Sequence, residues 1–95
     1  MNPKPKRVVD RKFLDEHHKA NCVVHRRPGC DPSHIQSRGA RGDDVPENVL
    51  PLCNDCHRYQ HQHGWLALSE RHPEVAWELE ARGWRLDERG RLRRA

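Results

Sequence analysis

Apolar residues come in short bursts along this chain, never in long runs. One such burst is Phe13 and Leu14 within DRKFLDEHHKA. With Asp10 placed to cap it, this predicts a short helix over residues 10–19. NCVVHRRPGCDPSHIQ follows, with a β-branched pair and Pro-Gly punctuation. It predicts a loop or knuckle around residues 27–29 and a short strand over 33–36. SRGARGDDVPEN is a loop by composition. VLPLC reads as a second short strand leading into a turn, and NDCHRYQHQHG as a helix from about Asp55 that stops at Gly64. LALSERHPEVAWELEARG supplies one or two further helices, with Ser69 or His72 as cap, Pro73 in the first turn and Gly83 at the end. Val75, Ala76 and Leu79 recur at helical spacing. Together with Trp65, Trp77 and Trp84 they are the core candidates. WRLDERGRLRR alternates apolar and polar around a glycine turn. The resulting organisation is a basic flexible tail over 1–9, one domain over 10–84, and a basic C-terminal hairpin or tail over 85–95.

Composition makes that domain's core thin. Only 34% of the 95 residues are apolar, and the aromatics are one Phe, one Tyr and three Trp. Small domains with so little to bury are usually stapled by disulfides or a metal. No apolar run reaches the length of a signal peptide or a membrane span, so the chain reads as cytoplasmic with no membrane partner. In that compartment cysteines stay reduced, and a Cys cluster favours metal over disulfide. The net charge is +4, and fourteen of the 18 basic residues are Arg. The guanidinium fork holds phosphate in a bidentate way that Lys cannot match, so the balance suits nucleic acid, although the same charge also serves solubility.

Two sets of metal-ligating side chains stand out. Cys53 and Cys56 have the C-x2-C spacing that puts two thiolates on one tetrahedral ion. Cys22 and Cys30, spaced C-x7-C, are the favoured partners and complete an all-thiolate structural zinc site. His25 competes with Cys30, because Cys22 and His25 also have knuckle spacing. A closed four-ligand site contributes folding free energy and leaves no open position for chemistry. The second set is His57 and His61, four residues apart and so on one face of the expected helix. His63, six residues past His57, faces elsewhere.

The stretch DPSHIQSRGARGDDVPENVLPLCNDCHRYQH resembles the signature of the HNH endonucleases, and the small nucleases of phages and prophages look most similar. Order, spacing and residue type agree from about residue 22 to 63. The resemblance implies a small ββα-metal core within an α+β fold, with structural zinc knuckles and flanking helices. It implies His34 as the general base that activates water, Asn48 as the residue that holds the loop and orients the base imidazole, and His57 with His61 as ligands of a divalent catalytic ion. Products would carry a 5′-phosphate and a 3′-hydroxyl. Histidine ligands favour Mn²⁺, Ni²⁺ or Zn²⁺ over Mg²⁺, although Mg²⁺ serves many such enzymes. The family places an Asp or His before the base; here Ser33 stands there, and Asp31 is the nearest acidic residue. Arg38 and Arg41 in the loop and Arg58 on the helix are the candidate phosphate contacts. The expected activity is hydrolysis of DNA with low sequence specificity and no organic cofactor. The alternatives are a catalytically inactive zinc module that binds nucleic acid, and a purely structural zinc protein of a phage assembly.

Overall fold

Three α-helices and four short strands, described here from a computed structural model for residues 7–40 and 42–94, pack into an α+β fold. Asp10 accepts a hydrogen bond from the Phe13 backbone N–H (3.0 Å) and starts α1, Arg11–His17. Two short-range bonds, Lys19 to the Glu16 carbonyl and Ala20 to that of His17, then tighten and end it earlier than the sequence predicts.

Strands β1 (Asp31–His34) and β2 (Val49–Leu52) form an antiparallel pair in which Pro32 faces Pro51 and His34 faces Val49. The first strand lies two residues before its predicted place. Proline argues against a strand by composition, but a two-stranded ribbon has only edges, where a residue without an N–H is tolerated. Beyond His34 the chain is tied to the second strand by the Ile35 N–H to the Asn48 carbonyl (2.8 Å).

After Cys53 comes α2, Asn54–Arg71, interrupted at Gly64, whose φ of 90° and ψ of 171° are not helical. The break falls where the sequence predicts the helix to stop. A third helix, α3 (Pro73–Ala81), has proline in its first turn, and the chain leaves it through Gly83 at φ 85°. Strands β3 (Trp84–Leu86) and β4 (Leu92–Arg94) close an antiparallel hairpin, so the described C-terminal residues pair rather than trail.

The core is built on β2, which is buried along its length. Leu50 and Leu52 meet Leu68 and Trp65 of α2, Val75 and Leu79 of α3, Trp84 and all four cysteines. Trp77 departs from expectation and is 67% exposed. At 100° per residue it lies roughly opposite Val75 and Leu79 on the helix, so those two take the inner face. The Trp84 indole donates to the Glu47 carbonyl (2.8 Å) and Arg82 Nε to that of Val49 (3.2 Å), which fastens the C-terminal elements to the strand and its approach. Among the described residues, no helix is long and apolar enough to cross a membrane.

The loop between β1 and β2 is held from within. Asn48, 3% exposed, donates from Nδ2 to the carbonyls of Gln36 and Asp43 (both 3.0 Å), and its Oδ1 accepts from the Gln36 N–H (2.8 Å). Gly42 is pressed against this clamp: a Cβ there would overlap the Gln36 carbonyl and come within 2.7 Å of Asn48 Nδ2. Of the expected tail, residues 1–6 lie outside the described residues, and the two that follow are fastened to the same loop: Arg7 Nε donates to the Gly42 carbonyl (3.0 Å) and Val8 N–H to the Asp43 carboxylate (2.7 Å). Gly42→Ala is therefore expected to lower the melting temperature by roughly 10 °C. Gly39→Ala, where the nearest atom is 3.9 Å away, should leave it nearly unchanged in the same thermal scans.

Candidate metal centre and neighbouring cleft

The segment from Cys22 turns back on itself. The Arg26 N–H bonds to the Cys22 carbonyl and the Cys22 N–H to the Arg27 carbonyl (both 2.9 Å), with Arg26 at a positive φ of 58°. The turn aims the N–H groups of Val24 and His25 at the Cys22 sulfur, 3.4 and 3.5 Å away. It also brings His25 Nδ1 to 3.1 Å from the Cys53 Sγ and 3.4 Å from the Cys56 Sγ. One donor atom each from Cys22, His25, Cys53 and Cys56 lies within 4.8 Å of all the others. Among the described residues this is the one such group of three or more.

The favoured ligand set is thereby corrected in one member: His25, not Cys30, joins the other three. Cys30 is fully buried beside the group and its thiol donates to the Arg27 carbonyl (3.5 Å). Burial and the neighbouring Cys22 and Cys53 sulfurs push that thiol up to about 11.

The chemistry of the donor set fits a cation. Burial raises the Cys53 thiol, but the Cys56 N–H, His25, Cys56 and Arg27 outweigh it and hold it down to about 6. Burial and that same neighbour drive Cys56 far upward. Packed sulfurs cannot all ionise without a positive charge among them. A tetrahedral ion bound by three thiolates and one imidazole removes the conflict. Val23 N–H meanwhile bonds to the Pro51 carbonyl (3.1 Å), so the knuckle is stitched to β2 as well.

One residue past Cys56, the helix presents a different surface. Asp31, Pro32, His34, Ser37, His57, Gln60 and His61 line a cleft of about 390 Å³ between β1 and α2. His57 Nε2 and His61 Nε2 are 2.9 Å apart, as one helix face dictates. Two ligands at right angles around an ion with bonds of about 2.1 Å would be separated by about 3.0 Å, so this nitrogen pair suits one edge of a metal site. Asp31 Oδ2 is 3.4 Å from the other ring nitrogen of His57, Nδ1. Asp31 and His61 therefore touch opposite sides of one imidazole.

His34 is held from the loop. Its Nε2 lies 2.7 Å from Asp44 Oδ1, and the Asp44 side chain is 2% exposed. Asp44 also accepts from Arg7 Nη2 (2.8 Å) and from the Asp10 N–H (3.0 Å). Burial alone would raise this carboxyl, but the bonds from His34 and Asp10 and the Arg7 charge together hold it below its ordinary value. Asn48 holds the loop, as expected, through Gln36 and Asp43, but the group that it is expected to orient, the His34 imidazole, is bonded by Asp44 instead. In the sequence its trace is the Asp43–Asp44 doublet, which reads only as loop composition.

The remaining candidates are scattered. Ser33 does not line the cleft; its Oγ is buried and finds no partner among the described residues. Arg58 is exposed on α2, Arg38 opens the short turn Arg38–Ala40, and Arg41 lies outside the described residues. His63 stacks on Tyr59, with ring centroids 4.5 Å apart.

No protein-family model matches the chain, and no curated protein or solved structure shows a significant match. Metal analysis of purified variants tests the donor set. Cys30→Ser should keep about one equivalent of zinc per chain, whereas His25→Ala and Cys53→Ser should lose most of it. Zinc lost in Cys30→Ser and kept in His25→Ala would restore the four-sulfur set.

Proposed function

We propose that this chain is a zinc-stapled, metal-dependent endonuclease of the HNH type that hydrolyses phosphodiester bonds in DNA. The observation that carries the reading is the shared cleft: His34 from β1 and His57 with His61 from α2 face one space. Phosphodiester hydrolysis needs an activated water on one side of the phosphorus and neutralised charge on the other. One histidine clear of the helix pair and two histidines with adjacent nitrogens divide that work. In this reading zinc at Cys22, His25, Cys53 and Cys56 is structural.

His34 takes the proton from the attacking water, a role suited to an imidazole, whose ordinary pKa lies near neutral pH. His57 and His61, with Asp31 beside them, hold the second ion. That ion, when bound, supplies charge for the phosphate and the leaving oxygen. Asn48 keeps the loop closed through Gln36 and Asp43. The excess of arginine, with Arg58 exposed on the metal helix, supports a polyanionic substrate bound through its backbone.

A second reading, a nucleic-acid-binding module that does not cleave, is favoured by one feature. Asp31 and His61 approach different nitrogens of His57, so the three do not converge on a single point. Plasmid nicking with Mg²⁺, Mn²⁺, Ni²⁺, Zn²⁺ and EDTA separates the two. Nicking in at least one metal, abolished by EDTA and reduced roughly a thousandfold in His34→Ala with the far-ultraviolet dichroism unchanged, is the expected result. DNA binding with no nicking in any metal would leave the second reading standing.

A further inference from the structure

Asp44 is a carboxylate whose every bond is made inside the protein. Oδ1 accepts from Arg7 (2.8 Å) and faces His34 Nε2 (2.7 Å), Oδ2 accepts from the Asp10 N–H (3.0 Å), and its own N–H donates to the Val8 carbonyl (2.9 Å). A buried charge is sustained only by such compensation, and here the compensating groups come from residues 7–10, more than thirty positions away. Arg7 and Asp10 supply part of that compensation. The imidazole on the same oxygen is an additional commitment.

That commitment has a chemical consequence. An ionised carboxylate can only accept, so the His34 nitrogen facing it must carry the hydrogen. In the neutral ring the lone pair is then on Nδ1, which finds no partner among the described residues, while the ring itself lines the cleft. We propose that Asp44, itself secured by Arg7 and Asp10, is a positioning residue that fixes His34 in the Nε2–H tautomer and so keeps Nδ1 free to take a proton in the cleft. The role of that proton rests on the nuclease reading. A water proton moves to Nδ1, the water oxygen bonds to phosphorus, and the P–O3′ bond breaks. The 3′-oxygen leaves with its electron pair and is protonated from solvent, while the carboxylate stays ionised throughout and stabilises the imidazolium.

The tautomer is read directly, without turnover, from nitrogen-15 shifts of histidine-labelled full-length protein with zinc bound, at a pH where His34 is neutral. The expected result is a single Nε2–H form for His34. An Nδ1–H form, or an even mixture, would overturn the proposal whether or not the protein cuts DNA. In turnover, Asp44→Asn should lower kcat about a hundredfold or more with KM little changed and zinc content intact, and Asp44→Glu should recover part of the loss. Full kcat in Asp44→Asn would overturn the proposal as well. Wild-type protein that never nicks DNA defeats the nuclease reading alone, because the spectrum still decides Asp44's hold on His34. If Asp44→Asn fails to fold, the wild-type spectrum still distinguishes the two tautomers.

Discussion

The Cys22–His25–Cys53–Cys56 cluster is the constraint on which the rest of the structure depends, because it is where three otherwise separate pieces are forced together. The knuckle at residues 22–25 lies just before β1, Cys53 ends β2, and Cys56 sits in the first turn of α2. Beyond this node the hydrophobic core is modest: among the described residues, six large aliphatic side chains are fully buried. A small domain's net stability is about 5–15 kcal/mol. Zinc binding to a structural site of this chemistry is of similar size, about 10–16 kcal/mol, so an ion there would match the whole net stability of a typical small domain.

The same node places the cleft. His57 follows Cys56 directly, so the geometry that seats the sulfur also sets where the helix's histidine face begins, and His61 follows one turn later. Across the cleft, Asp31 directly follows Cys30, and His34 ends the strand paired with β2. The loop beyond His34 is then closed by two devices that bear on different atoms. Asn48 and Gly42 fix the backbone, and Asp44 fixes a side chain. Sulfur chemistry on one side of α2 and histidine chemistry one residue further along are therefore consequences of a single turn.

Local spacing makes part of this legible. Cys53-x2-Cys56 and the His57/His61 pair need nothing but a turn and a helix to face one way, and both are readable from the chain. The break at Gly64 and the start of α3 at Pro73 are likewise written in residue type. The choice between His25 and Cys30 is not, because both lie within reach of Cys22. It turns on Arg26 adopting a left-handed conformation, φ 58°, which a non-glycine residue seldom signals. The two-residue displacement of β1 arises because Pro32 reads as punctuation, whereas an edge strand accommodates it. Asp44 is invisible in the sequence because its meaning lies in Arg7, 37 residues earlier, and in His34, ten residues earlier. Trp77 misleads because an aromatic beside an apolar stripe looks like part of it, although its helical angle puts it on the far side.

The most direct test of the account is a zinc titration of chelated protein followed by proton–nitrogen correlation spectra, with histidine side-chain signals resolved. If the node assembles the cleft, the metal-free chain should show collapsed amide dispersion, and one equivalent of zinc should restore the full spectrum, His34 and His57 included. A chain that keeps its dispersed spectrum and its histidine signals without any zinc would contradict it.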